Sequence, residues 1–360
     1  MDYVTSRVPA TRADRNAWAE PGVEDLGGGL YRIPLPLPGD ALTAVNVYAM
    51  TGDDGVDLID AGMALVQARE RLTEALNHLG YGLPDIRNFF ITHIHQDHYT
   101  LAVELRTTLR GQVTLGDQER ANMDAIRDVS AGRAEVGFIE MLAAMGAADL
   151  AAQVRAMLAP RLADPQPKLQ WSDPDRWLPD GAMIDLPGRT LRAIHTPGHT
   201  TGHVVFHDEA AAVLFAGDHV LPHITPSIGF QPAITRQALS QYLGSLRLML
   251  TLPDSRLLPA HGPVSNSTHE RVNELLAHHE TRLEQTLAAA SAGPVSALAA
   301  ARMIPWTRRL RKFDDLDPMS QILAVGETSA HLEVLVIRGQ LARDTSPEGV
   351  DTYSRPVIVG

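Results

Sequence analysis

The sequence contains no cysteine, which excludes a disulfide framework, a thiolate nucleophile and any metal site built on sulfur. Aromatic residues are few, at 5%, and no apolar run reaches the roughly eighteen residues of a membrane-spanning helix. The N-terminal stretch lacks a basic segment followed by an apolar core, so no secretory leader is expected and the chain is expected to be cytoplasmic, with no membrane partner. Positive charge is also short: Lys and Arg number 31 against 43 Asp and Glu, a net charge of −12. That balance disfavours general attraction to nucleic acid, while leaving room for a local basic patch.

What the chain has in plenty is histidine, fifteen in 360 residues, several in tight groups. With 44% hydrophobic and 21% charged residues the composition is that of an ordinary globular protein, and the length suggests one large domain and a smaller one.

From 30 to 62 short apolar or alternating runs (LYRIPLPL, AVNVYAMT, GVDLIDAG) are separated by PGD and GDDG, which predicts strands joined by hairpin turns. Leu65, Ala68, Leu72, Leu76 and Leu79 keep helical spacing up to Gly80. Residues 87–92 read as a buried strand that delivers the cluster HIHQDH into the following loop, 97–109 as a helix, and 113–115 as a strand. An Ala- and Met-rich helical stretch, 117–160, reads as an insertion and a candidate substrate lid. Its Phe138, Ile139, Met141, Leu142, Met145, Leu150, Val154, Met157 and Leu158 could form an apolar wall or simply cover a sheet. Strands resume after Trp171, with a helix at 236–250 and a strand at 256–262; from Ser267 the chain turns helical and ends in a short strand.

His93 and His95 stand two residues apart, so an extended segment projects them to one side, and Asp97 and His98 open the next turn. Burying these four together without a cation would be costly. Further candidates follow in small-residue loops: His199 in HTPGHTTGH, Asp218 in FAGDH and His261 in PAHG. Imidazole and carboxylate suit zinc, iron or manganese, and a carboxylate can bridge two ions.

The set THIHQDH, TPGHTTGH, AGDHV and LPAHGP, in this order, resembles the metallo-β-lactamase superfamily. The resemblance implies an α+β fold, a four-layer αββα sandwich, over residues 28–266 after an N-terminal extension of 1–27. It implies His93, His95 and His199 on a first divalent metal, Asp97, His98 and His261 on a second, and Asp218 bridging, with Zn2+ expected and Fe or Mn compatible. A metal-bridging hydroxide would be the nucleophile, Asp97 a catalytic residue that orients it or protonates the leaving group, and Asp60 a carboxylate supporting a ligand histidine. A turn aspartate is an equal reading of Asp60. Residues 267–360 resemble the helical, winged-helix-like C-terminal domain of the β-lactamase-like protein 2 and hydroxyacylglutathione hydrolase-like branch.

Three functions follow from the resemblance: hydrolysis of a small ester, thioester or lactone; single-strand endoribonuclease or phosphodiesterase action on RNA; and a non-catalytic binding module. The lack of cysteine argues against β-lactamases with a cysteine ligand. Where relatives continue DHxGG, this chain has DHYTLA, so Tyr99 and Thr100 are expected to narrow the pocket. His195, His203, His207, His219 and His223 read as surface or satisfied core residues. His269, His278 and His279, among glutamates, read as a solvated helix face, and WTRRLRKF at 306–313 as a basic helix end balanced by Asp314, Asp315 and Asp317.

Overall fold

The computed structural model describes residues 17–38, 42–130, 137–163, 171–291, 293–307 and 309–356. Most of the expected N-terminal extension, part of the insertion, the side chain of Leu158 and the last four residues lie outside them.

The first half forms a seven-stranded sheet in simple chain order: β1 (Glu24–Gly27), β2 (Leu30–Pro36), β3 (Ala44–Gly52), β4 (Gly55–Ile59), β5 (Ile86–Ile91), β6 (Gln112–Gly116) and β7 (Arg176–Leu178). Hairpins make the β1–β4 ladders antiparallel, whereas the helical crossovers α1 (Val66–His78) and α2 (Gln96–Arg106) make β4, β5 and β6 parallel. The second half forms a five-stranded sheet ordered β12–β11–β10–β9–β8, from β8 (Met183–Leu186), β9 (Arg189–His195), β10 (Val204–Asp208), β11 (Val213–Gly217) and β12 (Arg256–Pro259).

Period-two alternation turns these strands into layers. On β3, Val45, Val47 and Ala49 pack outward on the helices, while Tyr48 and Met50 face the other sheet. That inter-sheet core joins Ile59 and Phe90 to Phe206, Phe215 and Leu258, and Tyr48 meets Phe215 edge to face. Outside the first sheet lie α1, α2 and α3 (Arg120–Ser130), and α1 buries Ala68, Leu72 and Leu76 as its spacing predicts. Outside the second lie α6 (Ala238–Met249) and the C-terminal helices α7 (Thr268–Ala289), α8 (Ala297–Met303) and α9 (Pro318–Ile337). The result is helices, sheet, sheet, helices, the α+β four-layer arrangement expected.

The insertion supplies α3, α4 (Gly137–Ala144) and α5 (Ala148–Ala163). Phe138, Leu142 and Leu150 join the same apolar core as Leu239 and Tyr242 of α6 and Val325 of α9, so this segment is anchored. The C-terminal region is α7–α9 plus an antiparallel pair, β13 (Ala342–Thr345) and β14 (Asp351–Ser354). Ser267, Ser296 and Asp317 cap its helices by accepting from the backbone N–H of Glu270, Ala299 and Ser320.

Two expectations fail here. His279 is buried, 2% exposed, against His331 of α9, because α7 turns this face to the helix packed on it rather than to water. The basic run is no helix end: Trp306 and Arg311 pair backbone to backbone in a tight reversal, with the Arg282 guanidinium 4.3 Å over the Trp306 ring.

Candidate metal centre

The seven candidate side chains come from loops at one edge of both sheets. His93 and His95 follow β5, Asp97 and His98 occupy the first turn of α2, His199 follows β9, Asp218 follows β11 and His261 follows β12. They meet as two groups of potential ligands: His93, His95, His199 and Asp218, and Asp97, His98 and His261. In each group one ligand atom per residue lies within 4.8 Å of the others.

Asp218 faces both groups. Its Oδ2 is 3.4 Å from His199 Nε2, while its Oδ1 is 3.4 Å from His261 Nε2 and 3.7 Å from His98 Nε2. Asp97 Oδ2 is 3.5 Å from His261 Nε2 and 3.6 Å from His98 Nε2. In the first group His199 Nε2 lies 3.2 Å from His93 Nε2 and 3.0 Å from His95 Nδ1.

The ring protons are assigned by the partners behind the rings. His199 Nδ1 donates to the Ser227 carbonyl (2.6 Å), His261 Nδ1 to the Ala44 carbonyl (2.7 Å), and His98 Nδ1 to Asp60 Oδ2 (2.9 Å). Each of these therefore turns Nε2 toward the cluster. His95 is reversed: its Nε2 donates to the Phe230 carbonyl at 3.1 Å, which leaves Nδ1 facing inward. Among the described residues His98 Nε2, His261 Nε2 and Asp218 Oδ1 are buried without a hydrogen-bond partner, although lone pairs in a dry interior normally find one. Inward lone pairs of nitrogen and carboxylate oxygen, with no thiolate among them, are the donor set of a borderline divalent ion.

Electrostatics agree. Burial works against protonation of His98 and His261, but Asp97, Asp218 and, for His98, Asp60 outweigh it and hold His98 up at about 10 and His261 above the usual range. Burial opposes ionisation of Asp97 and Asp218 as well, yet the surrounding imidazoles hold both carboxyls down. In the other group burial and neighbouring histidines push His93 far down, and His95 falls to about 4. The carboxylates thus demand positive charge at this place, and a divalent cation supplies it without protons.

Asp60 follows β4 at φ 60°, a left-handed conformation that aspartate tolerates better than most residues. Besides His98 it accepts from the Thr92 backbone N–H at 2.8 Å and from Thr92 Oγ1 at 3.0 Å. Gly217 is required before Asp218: at φ 50°, a Cβ there would sit 2.7 Å from His203 Nε2 and 2.8 Å from Thr92. His203 stacks on His93 and is a satisfied core residue, accepting from the Asp218 N–H through Nε2 and bonded to Thr196 Oγ1 through Nδ1.

Tyr99 does not narrow the site. Successive helix residues diverge by about 100°, so with His98 facing the cluster Tyr99 turns away, donates to the Ser172 carbonyl and stacks on Trp171. Thr100 Oγ1 is tied to the Gln96 carbonyl and the Ala64 N–H. Glu119 gave no signal in sequence: fully buried, and raised in pKa by that burial, it accepts from Thr200 Oγ1, Asn122 and the Ile94 N–H. It thereby ties α3 to two ligand loops.

Residues 40–261 match the family model of the metallo-beta-lactamase superfamily, and residues 283–356 that of the metallo-beta-lactamase-like C-terminal domain. Among curated proteins, lactamase-like protein aptB of Emericella nidulans is 37% identical over 109 residues, 30% of this chain and 33% of that protein. Lactamase-like protein ptaB of Pestalotiopsis fici is 34% identical over 130 residues, 36% of this chain and 39% of that protein. The matched stretch thus spans about a third of the length of these relatives. A metallo-beta-lactamase family protein from Thermus thermophilus superimposes with a TM-score of 0.72 at 27% identity, covering 92% of this chain and all of that one. A beta-lactamase domain protein from Burkholderia ambifaria does so at 0.70 and 24%, covering 93% and 95%. The matched model spans most of the chain and embraces six of the seven candidate ligands in their loops together with His261 at its end, so the chain belongs to the metallo-beta-lactamase superfamily and carries a His and Asp cluster suited to divalent metal, in keeping with a metal-dependent hydrolase.

Proposed function

We propose that the chain is a binuclear metal-dependent hydrolase of neutral, largely apolar esters, thioesters or lactones. The single observation that carries the binuclear reading is Asp218, whose two carboxylate oxygens face different ligand groups. His93, His95 and His199 would hold one ion, Asp97, His98 and His261 the other, and Asp218 both. Zinc is the expected metal, with iron and manganese compatible. Bound there, two such ions would supply a hydroxide at neutral pH and polarise the oxygen under attack.

The protein's own residues do the remaining work. Asp60, Ser227, Ala44 and Phe230 fix the ring orientations of His98, His199, His261 and His95. Asp97, the more open of the two cluster carboxylates at 17% exposure, lines the cleft and is placed to carry a proton to the leaving group.

The substrate class rests on the cleft, about 920 Å3 in volume. Met63, Ile126, Phe138, Val154, Trp171 and Phe230 contribute to its walls, and no Lys or Arg is among the described residues that line it. A phosphodiester backbone needs cations along its path, so a lining without basic side chains disfavours the ribonuclease reading. Phe138, Val154 and Met157 come from the insertion, which supports its role as a substrate wall. We also read the α7–α9 region with its two-stranded sheet as the winged-helix-like domain, beginning near residue 267.

The test is metal content of the purified protein alongside initial rates on ester, thioester, lactone, phosphodiester and single-stranded RNA substrates. About two ions per chain are expected, with turnover confined to the acyl substrates. Asp218→Ala should lose at least about a hundredfold in rate, the upper end of what supporting residues alone contribute. Full activity in metal-stripped protein would overturn the mechanism.

A further inference from the structure

The candidate ligands hang on loops, and two sets of buried hydrogen bonds hold those loops from behind. The first is centred on Glu119, fully buried in the turn before α3. One of its carboxylate oxygens accepts from the Ile94 backbone N–H, between His93 and His95, and from Thr200 Oγ1, beside His199. The other accepts from the Asn122 amide nitrogen at 2.6 Å, and that nitrogen also donates to Gln231 Oε1 at 3.0 Å. Gln231 Oε1 accepts in addition from the Thr201 N–H and, at 2.9 Å, from Thr201 Oγ1. Gln231 directly follows Phe230, whose carbonyl accepts from His95 Nε2. The Ala233 N–H donates to Asn122 Oδ1 at 2.9 Å, which fixes the orientation of that amide. Close approach completes the arrangement: a Cβ at Gly202 would meet Glu119 Cγ at 2.5 Å, and one at Gly116 the Gly202 carbonyl oxygen at 2.5 Å. Glycine at both positions lets the 116–119 turn lie directly against the 199–202 loop.

The second set is centred on Asn46 of β3, also fully buried. Its side-chain nitrogen donates to the carbonyls of Pro259 at 2.9 Å and Gly262 at 2.8 Å, and its backbone N–H to the Ala260 carbonyl at 2.7 Å. The chain is thereby held on both sides of His261. Arg32 donates to Asn46 Oδ1 at 2.9 Å, which fixes this amide in turn, and is itself paired with Glu24 at 2.6 Å. Alternate residues of β3 act with Asn46: Tyr48 donates to the Pro259 carbonyl at 2.8 Å, and the Ala44 carbonyl accepts from His261 Nδ1.

The two sets share no residue, and among the described residues no hydrogen bond joins them. The ligand groups themselves meet at Asp218 and, behind the rings, at Asp60, which bonds His98 directly and reaches His93 by way of Thr92 Oγ1. We propose that Glu119 and Asn46 are positioning residues for different metal ions: Glu119, with Asn122 and Gln231, for the ion of His93, His95 and His199, and Asn46 for the ion of His261. Groups behind the ligands set metal affinity by holding donors in place before the ion arrives. Each loop here is held by bonds that the other does not use, so either site can be weakened with little effect on its neighbour. The proposal rests on the binuclear reading above.

The test is a Zn2+ titration of the metal-stripped full chain, followed by stepwise removal with a chelator and by the ring nitrogen resonances of the ligand histidines. His95 reports the first site through Nδ1, its inward nitrogen, whereas His98 and His261 report the second through Nε2. Glu119→Gln keeps the shape but replaces one acceptor by a donor among donors. It should weaken the first ion about 10- to 100-fold and leave the second within about twofold, as expected for independent sites. Asn46→Asp, which sets a carboxylate oxygen against the Pro259 and Gly262 carbonyls, should do the reverse. Thr200→Val and Tyr48→Phe each remove a single hydroxyl bond, and should repeat the contrast with smaller shifts should the stronger variants unfold. A purely structural role would lower the melting temperature and loosen both ions alike. Equal weakening of the two ions, weakening of the opposite ion, or unchanged affinity in folded variants would each overturn the proposal. A wild-type chain that takes up a single ion fails the binuclear reading itself, whereas equal weakening in a chain that takes up two fails only this division of labour.

Discussion

Asp60 does two things at once. Its carboxylate accepts from His98 Nδ1–H and from both donors of Thr92, and its backbone holds a left-handed conformation just after β4. Asparagine tolerates that conformation, so Asp60→Asn should keep the fold while removing the charge. Metal affinity, measured by chelator competition, is expected to fall about 10- to 100-fold; an unchanged affinity would remove Asp60 from the centre. At this scale the sequence was readable where chemistry resides in side chains: HIHQDH, His199, Asp218 and His261 announced themselves by type and spacing. The carbonyls of Ala44, Ser227 and Phe230 could not, because every residue has one. Glu119 was hidden for a related reason, since a buried carboxylate is made by the neighbours that fold around it, Thr200 and Asn122 here.

Turns and helix contacts carry the next set of consequences. The end of β11 leaves no room for a side chain at Gly217, so Gly217→Ala should cost about 1–3 kcal/mol in urea unfolding and displace Asp218. Between α7 and α9, His279 and His331 have folded pKa values near 3, below the unfolded value of about 6.5. The unfolded chain therefore binds more protons between those values. The pair's contribution is fully present above about pH 6.5 and is lost as pH falls toward 3. Urea midpoints from pH 7 to 4 should drop more steeply for wild type than for a His279→Gln, His331→Gln double variant. Elements such as α1 and β5 were legible because one strong period filled their length. The buried face of α7 was not, because its glutamates concealed which side α9 would cover.

On the scale of the whole chain, the proposed boundary near residue 267 does not divide the apolar interior. Leu239 and Tyr242 of α6 share one core with Leu275 of α7 and Val325 of α9, and Met319 and Ile322 of α9 line the metal cleft itself. A chain cut after residue 266 should therefore melt lower and aggregate when heated, as light scattering would register; a cut chain as stable as the full one would show the two parts to be independent. The four-layer sandwich could be anticipated from alternating strands, but this shared core could not, since periodicity says that a face is buried and not what buries it. The cluster is divided just as the layers are. Each ligand group draws donors from loops of both sheets, so neither half of the sandwich alone offers a full set. The centre consequently acts as a clasp that can fasten only after the two sheets have docked. The first group is complete once the loop after β11 is in place, whereas the second waits for β12 to be synthesised and joined to β11, so the cluster closes in two stages and the later one belongs to the last strand of the sandwich.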